Sequence, residues 1–454
     1  MLRNVLEKIR PSKEEKNKMK NFAERVLKIS KIILKESAKP LLCGSVAKGT
    51  WISNKNELDL FLLFSPATSR KDLEKKGLDF AKNIIKKLKG KYEIAYAEHP
   101  YLRGWVGKYQ IDIVPCYSIE DPEKIKSAVD RTPHHVKYVI NNLKNPDEVM
   151  LLKQFCEANE CYGADVKTQG FSGYLCELLI IYYKSFENCI KKASKWRAGT
   201  LITFDKIDKE FALKKFRTPL ITIDPVDKNR NVAAAVSIET FYRFVKACND
   251  FLKNKKMKFF FPEKIKPYSI QEISKEIKKR GTRWYLIKFK RPDVIDDTLY
   301  PQLRRCIKSL EKILKENGFR VFRKDFWCND ICVLVFEMDI WQVPKISKHI
   351  GPNVFSRHAE EFLKHYKQYR IFIDGENWVV EKERKFQTVL PLLKNLIRRS
   401  NKELLESGIP NKIVSQFRKA RVYSGGESVK VISKLPKEFK VFMRKWFEKD
   451  LNVI

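Results

Sequence analysis

Apolar positions along this 454-residue chain repeat in two rhythms, one of three to four residues and one of two, and the switches between them divide it into regions. The first rhythm predicts a helix from Ser12 to Glu36, opened by a capping box in which Ser12 and Glu15 satisfy each other's end of the first turn. A Gly-Ser turn then leads through a helical or loop segment into a strand over Glu57–Phe64. A Lys-rich helix follows over Arg70–Leu88, then a strand over Tyr92–Ala97 and a second around Lys108–Cys116. Strands and helices mixed in this order predict a small α/β or α+β unit. From Asp147 to about Leu252 the rhythm is helical, most clearly in DEVMLLKQFCEAN and FSGYLCELLIIYYKSF. Farther on, RWYLIKFK, FRVFRKDFW, ICVLVFEMDIW and YRIFIDG read as strands, and TLYPQLRRCIKSLEKILKENG and SRHAEEFLKHY as helices. Their order, βαββαβ, predicts a ferredoxin-like sheet of the kind many RNA-binding modules use. The remainder, Pro391–Asp450, reads as helices broken at Gly408, Pro410 and Gly425-Gly426.

Charge adds a partner to this picture. There are 92 Lys and Arg against 55 Asp and Glu, a net +37. Hydrophobic residues at 43% and aromatics at 12% can build real cores, which excludes a mainly disordered basic tail. A heat-adapted surface would raise Glu along with Lys, so a polyanionic partner is the better reading. The excess is uneven: Phe251–Lys290 holds 13 basic residues against 3 acids, and Pro391–Asp450 holds 15 against 6. No apolar run approaches the ~18–20 residues that span a bilayer, and the first thirty residues lack the apolar core of a signal peptide. No membrane is expected as a partner, and a cytoplasmic protein is. The ten Cys include no CxxC pair and mostly sit in apolar segments, as small buried hydrophobes do. The six His offer no zinc spacing, and the adjacent His134 and His135 suggest a nucleic-acid role for at least one of them.

The chemistry concentrates in CGSVAKGTWISNKNELDLFLLF, residues 43–64. Glu57 and Asp59 stand two apart on a strand and therefore share a face, with Leu58 and Leu60 turned to the core. Two carboxylates held side by side repel unless a cation lies between them, and Mg²⁺ suits an oxygen-only ligand set completed by phosphate and water. Asp112 in KYQIDIVPCY adds a third strand-borne carboxylate. An E-x-D pair alone is commonly a solvated face. With a Gly-Ser turn upstream and a second Asp-bearing strand downstream, the set meets the requirement of two-metal phosphoryl transfer.

This GS…ELD…D pattern resembles the nucleotidyltransferase superfamily of DNA polymerase β and the poly(A) polymerases. More narrowly, YAEHPY, IDIVPCY, IKSAVDRTPHH, GFSGYLCELLI, DPVDKNRNVAA and RPDVIDDTLYPQL, in order over about 300 residues, are similar to the archaeal-type, class I CCA-adding enzymes. The resemblance implies an α+β multidomain fold: a polymerase β-like catalytic head (1–146), a helical nucleotide-binding neck (147–258), a mixed tRNA-binding body (259–283 and 385–454) and a ferredoxin-like tRNA-binding tail (284–384). It implies template-independent addition of CCA to the 3′ end of tRNA from CTP and ATP, with Glu57, Asp59 and Asp112 as catalytic Mg²⁺ ligands, and a homodimer. Gly44, Ser45, Lys48 and Thr50 would approach the triphosphate, Gly by admitting its backbone and Ser by donating a hydrogen bond. The family more often has Arg where Lys48 stands, so a point-charge contact is expected there in place of a bidentate one. His135, Lys153 and Tyr162 match positions around the β- and γ-phosphates. Glu98 and His99 match positions near the base or primer terminus. Arg230 is the candidate for reading the base, through donors that both cytosine and adenine can accept. Ser172 and Gly173 are expected to support helix entry only.

Two other readings compete. A poly(A) polymerase or oligoadenylate synthetase would share the head, and the RNVAA and RPDVIDDTLYPQL segments argue against it. A non-catalytic RNA-binding protein would have lost at least one carboxylate, and all three are present.

Overall fold

The computed structural model describes residues 1–96, 100–206 and 209–448, and contacts divide the chain into two compact units that meet at Glu263/Lys264. The first unit opens with a short helix, Leu2–Ile9, that the sequence did not suggest, followed by the expected helix at Lys13–Leu34 with both hydrogen bonds of the Ser12–Glu15 box in place. Its sheet holds β1 (Lys39–Cys43), β2 (Glu57–Phe64), β3 (Lys91–Tyr96), β4 (Pro100–Val106) and β5 (Tyr109–Tyr117) in the order β1-β2-β5-β4-β3. Only β2 and β5 run parallel; every other neighbouring pair is antiparallel. Alternation along β2 does the sorting. Leu58, Leu60, Leu62 and Phe64 pack against Met19, Phe22 and Val26 of the Lys13–Leu34 helix and against Leu73, Ala81, Ile84 and Ile85 of the helix Arg70–Lys87. On the opposite face Phe61 joins Cys43, Cys116 and Val136 in a small cluster, and the same face carries Glu57 and Asp59 at its open end.

Behind this sheet the first unit is helical, around an aromatic core in which Phe155, Phe186, Phe244, Phe251 and Phe260 are all buried. The helices Pro146–Ala158 and Gly173–Tyr183 fall where the three-to-four rhythm puts them. The region is not wholly helical: β6 (Thr200–Ile202) and β7 (Leu220–Thr222) form a parallel pair.

In the second unit the six βαββαβ elements form near their expected bounds, but their strands do not make one sheet. β8 (Arg283–Lys290), β9 (Arg320–Cys328) and β10 (Ile331–Ile340) pair as expected. The segment expected to supply the fourth strand lies elsewhere. β11 (Ile346–Asn353), β12 (Arg370–Asp374) and β13 (Asn377–Glu383) make a separate three-stranded sheet, order β11-β13-β12. The cause is local. Asp374 pairs with Asn377 across a two-residue turn that begins with Gly375, so β12 meets β13 at almost no loop-closure cost before it can reach β8. The fourth position is filled by β14 (Arg421–Ser424), which pairs antiparallel with β8 and gives the order β14-β8-β10-β9. Four-residue β14 lies in a stretch that the sequence reading took as helical. Cys328 and Cys332 depart from the reading of cysteines as separate buried hydrophobes: they are direct partners across the β9–β10 hairpin and are disulfide-bonded. The other eight cysteines are free and buried. Among the described residues no helix is long and apolar enough to cross a membrane.

Candidate active site

The parallel register of β2 and β5 sets Asp59 directly beside Asp112, so residues more than fifty positions apart share one face, with Glu57 two residues up the same strand. Cys43 pairs with Asp59 from the other side, which brings the next residue, Gly44, against the carboxylate. Gly44 has φ +68°, and a Cβ there would lie 1.7 Å from Asp59 Oδ2. The glycine therefore makes room first for the aspartate itself. Burial pushes the Asp59 carboxyl up to about 6, the charges of Asp112 and Glu57 push the same way, and Lys48 and Arg103 oppose them. Asp112 is held differently. Arg103 on β4 donates two hydrogen bonds to it, each 2.9 Å, and also one to the Tyr101 hydroxyl. Arg103 escaped the sequence reading, although the alternation in YLRGWV turns it away from buried Leu102 and Gly104.

Three hard oxygen donors on one face, one of them resisting ionisation through its burial and then through the charges beside it, fit a divalent cation. Among the described residues no three His, Cys, Asp or Glu side chains converge as metal ligands; Arg103 draws Asp112 onto itself. The strands bring the three carboxylates to one face without closing them into a ligand set.

Next to the carboxylates lies a buried network that the sequence reading saw only in part. Lys48 Nζ donates to Glu177 Oε2 at 2.5 Å, and Thr50 Oγ1 donates to Glu177 Oε1 at 2.6 Å. Lys153 Nζ donates to the Thr50 hydroxyl and carbonyl, both at 3.1 Å, and stands 3.5 Å from Glu177. Burial works against every charge here. It lowers the Lys153 amine in spite of Glu177, whereas Lys153 and Lys48 outweigh it at Glu177 and hold that carboxyl below its ordinary value. Thr50 is fully buried with its hydroxyl committed on both sides, so it braces the lysines and has no free face for a phosphate. Ser45 is the second residue of the short helix Gly44–Ala47. Tyr162 lies under the Lys55 amine, 5.4 Å from ring centre to nitrogen.

A third group centres on Asp224. His135 Nε2 donates to Asp224 Oδ2 (2.9 Å), as does Arg230 Nη1 (2.8 Å), and Tyr174 donates its hydroxyl to Oδ1 (3.0 Å). His135 also stacks on Tyr174, ring centres 4.0 Å apart, and the Lys48 amine lies 5.8 Å over the same tyrosine, which joins this group to the previous one. Burial lowers the His135 imidazole and outweighs the pull of Asp224, and the ring donates through Nε2–H. Burial alone would raise Asp224, yet its hydrogen bonds bring it down to about 2. Ser172 caps the helix Gly173–Tyr183 by accepting from Leu175 N, the supporting role expected of it. Glu98 and His99 lie outside the described residues. Glu177, Tyr174 and Asp224 were missed because each sits in an apolar or turn segment and depends on partners 50 to 129 residues away, the nearer ones being Lys153 for Glu177 and Arg230 for Asp224; the one available signal was an acid, Glu177, inside the otherwise apolar LCELLII.

Three family models match in succession: Nucleotidyltransferase domain over residues 19–135, tRNA nucleotidyltransferase, second domain, over 147–261, and CCA-adding enzyme, C-terminal domain, over 280–420. A CCA-adding enzyme of Methanocaldococcus jannaschii is 40% identical, covering 87% of this chain and 90% of that one. One from Methanothermobacter thermautotrophicus is 36% identical over 88% of each, and one from Methanosarcina acetivorans is 36% identical over 97% of each. With carboxylates, cations and fold arranged as above and this likeness running through most of its length, the chain belongs to the CCA-adding enzymes, nucleotidyltransferases of tRNA.

Proposed function

We propose that the face shared by Asp59 and Asp112 is the phosphoryl-transfer centre and that the Asp224 group chooses the nucleotide. The chain adds C, C and A in turn to the 3′ end of tRNA from CTP and ATP. In each step the terminal 3′-oxygen bonds to the α-phosphorus, the bond between the α-phosphorus and the bridging oxygen to the β-phosphorus breaks, pyrophosphate leaves and the hydroxyl proton is lost. Magnesium, the hard cation best suited to the Glu57, Asp59 and Asp112 oxygens, would supply charge neutralisation of the triphosphate and acidification of the 3′-hydroxyl. Glu57 and Asp59 offer their carboxylates from one strand, Gly44 keeps Asp59 in place, and Arg103 orients Asp112 until it is needed at the 3′-oxygen. Ser45 and Lys48, beside Gly44, face the triphosphate as hydroxyl donor and point charge. Lys153 and Tyr162 hold the β- and γ-phosphates from beyond Lys48, with His135 beside them, its Nε2–H given to Asp224. Arg230 offers the base its N–H groups.

Head (1–146), neck (147–258), body (259–283 and 385–454) and tail (284–384) are the parts this reading proposes. The β14–β8 pairing makes body and tail share a sheet, so the basic second unit grips tRNA as one piece. The enzyme works in the cytoplasm as a homodimer.

The register of Asp59 against Asp112 supports this assignment most strongly. Incubation with tRNA lacking its CCA end and each labelled nucleotide tests it: C, C and then A should be taken up, and Asp59→Ala or Asp112→Ala should abolish uptake while leaving tRNA binding intact. Long tracts of A alone would instead indicate a poly(A) polymerase, and turnover retained in either variant would sink the carboxylate assignment.

A further inference from the structure

Asp224 has no solvent exposure, yet both its oxygens are saturated by donors from three separate stretches of chain. Oδ2 accepts from His135, in the helix Arg131–Asn142, and from Arg230; Oδ1 accepts from Tyr174, in the helix Gly173–Tyr183, and from the Val226 amide at 3.0 Å. An ionised carboxylate this deep persists only when its partners are held as firmly as it is. The turn that carries Arg230 is itself closed by backbone hydrogen bonds, Asp224 N to Arg230 O and Arg230 N to Asp227 O. Arg131 pins its tip through Asp227 at 2.8 Å. The Arg230 side chain, 36% exposed, is thus fixed at its root by the turn and at one terminal nitrogen by Asp224.

We propose that Asp224 is the positioning residue for nucleotide choice: by holding one end of the Arg230 guanidinium it gives the remaining N–H donors a single direction relative to the incoming base. An arginine side chain free at its tip samples many rotamers, and its donors then meet the acceptors of cytosine and adenine with little distinction. Held in place, its planar fork accepts one placement of those acceptors and leaves a misplaced base with unpaired polar groups, a penalty that discriminates strongly between analogues. Tyr174 contributes by fixing the second oxygen of Asp224 and by stacking under His135. The inference rests on the reading of Arg230 as the group that meets the base.

The test measures kcat/KM for CTP and for ATP on tRNA ending in a single C, which calls for C, and on tRNA ending in CC, which calls for A, in Asp224→Asn, Tyr174→Phe and Arg230→Ala. Asp224→Asn keeps the size but turns one acceptor into a donor facing Arg230 and His135. The ratio of correct to incorrect nucleotide should fall at least tenfold on both substrates, and in the same direction but less in Tyr174→Phe. A uniform loss with both ratios unchanged is what a merely structural carboxylate would give, and it overturns the proposal. If Asp224→Asn does not fold by circular dichroism, Tyr174→Phe decides alone by the same criterion. If Arg230→Ala leaves the ratios intact, Arg230 does not read the base and the proposal falls with that reading. If Arg230→Ala degrades them and Asp224→Asn does not, only the positioning role fails.

Discussion

Gly44→Ala separates the two demands placed on one glycine, and a second glycine a few residues away supplies the control. Gly44 and Gly49 both have φ +68°, a conformation in which a Cβ costs roughly 1–2 kcal/mol. Both alanine variants should therefore lose about that much stability in urea denaturation. Their surroundings differ. The added methyl at Gly49 meets nothing closer than Pro146 Cγ at 3.9 Å, whereas at Gly44 it lies 1.7 Å from Asp59 Oδ2 and 2.6 Å from its Cγ. Restoring ordinary contact displaces the carboxylate by about 1.7 Å, and a misplacement of ~1 Å at a reacting centre is enough to cost ~100-fold in rate. Gly44→Ala should thus lower kcat for labelled CMP incorporation by about 100-fold or more with tRNA affinity retained, while Gly49→Ala stays within a few-fold of the parent. Equal activity in the two variants would refute the idea that Gly44 exists to seat Asp59.

Other expectations are independent of that one. Lys153 is buried, and the groups facing it are Glu177, Lys48, Thr50, Tyr162 and Cys176; removing the one ionised carboxylate in Glu177→Gln should lower its already depressed amine further. KM for CTP in that variant should climb with rising pH over a range where the parent is flat, and parallel profiles would exclude Lys153 as a phosphate contact. Asp224, brought down to about 2 against an ordinary 3.8, binds fewer protons folded than unfolded between those values. It therefore contributes about 2 kcal/mol above pH 3.8 that is lost as pH falls towards 2, so the stability gap between parent and Asp224→Asn should close in acid. A gap independent of pH would show that the carboxylate's charge is not what stabilises. Arg305 and Lys308 are exposed on the helix Asp296–Glu316; reversing both charges should weaken tRNA binding and flatten its dependence on salt by about one unit of slope for each phosphate no longer neutralised. An unchanged slope would place the tRNA elsewhere.

What the sequence disclosed depended on range. Glu57–Phe64 was legible because period-two alternation and a buried face lie within eight residues, and Ser12 with Glu15 because a capping box is complete in four. Asp112 was legible as a carboxylate on an apolar strand, but its register against Asp59 is a property of pairing across some fifty residues. Arg103 shows the same limit: its face could be read, and its partner only from the hairpin. The buried acids Glu177 and Asp224 gave little sign because their partners are spread along the chain: Lys48 lies 129 residues from Glu177 and His135 lies 89 from Asp224, with Arg230 close to it in sequence. In the second unit YRIFIDG was read correctly as a strand and assigned to the wrong sheet, because counting elements in order favours the ferredoxin pattern while the turn at Gly375 favours an immediate neighbour. Four-residue β14 carries too few positions for any rhythm to show.

That late strand has a consequence for synthesis. Tyr285–Lys288 of β8 pairs with Arg421–Ser424, about 130 residues later in the chain, so at ~5–20 residues per second one edge of β8 waits roughly 7–27 s on the ribosome for its partner. During that interval β10 can cover the other edge, and the exposed one must avoid pairing with a second nascent chain. Arg283, Lys288 and Lys290, charged residues of the kind that blunt open edges, stand on the strand that has to wait. A fragment ended at residue 420, where the matched C-terminal family model stops, would keep that edge open permanently and should aggregate, while a chain carried on through the helices that cover Trp284 and Leu286 with Phe439, Met443 and Trp446 should give soluble protein.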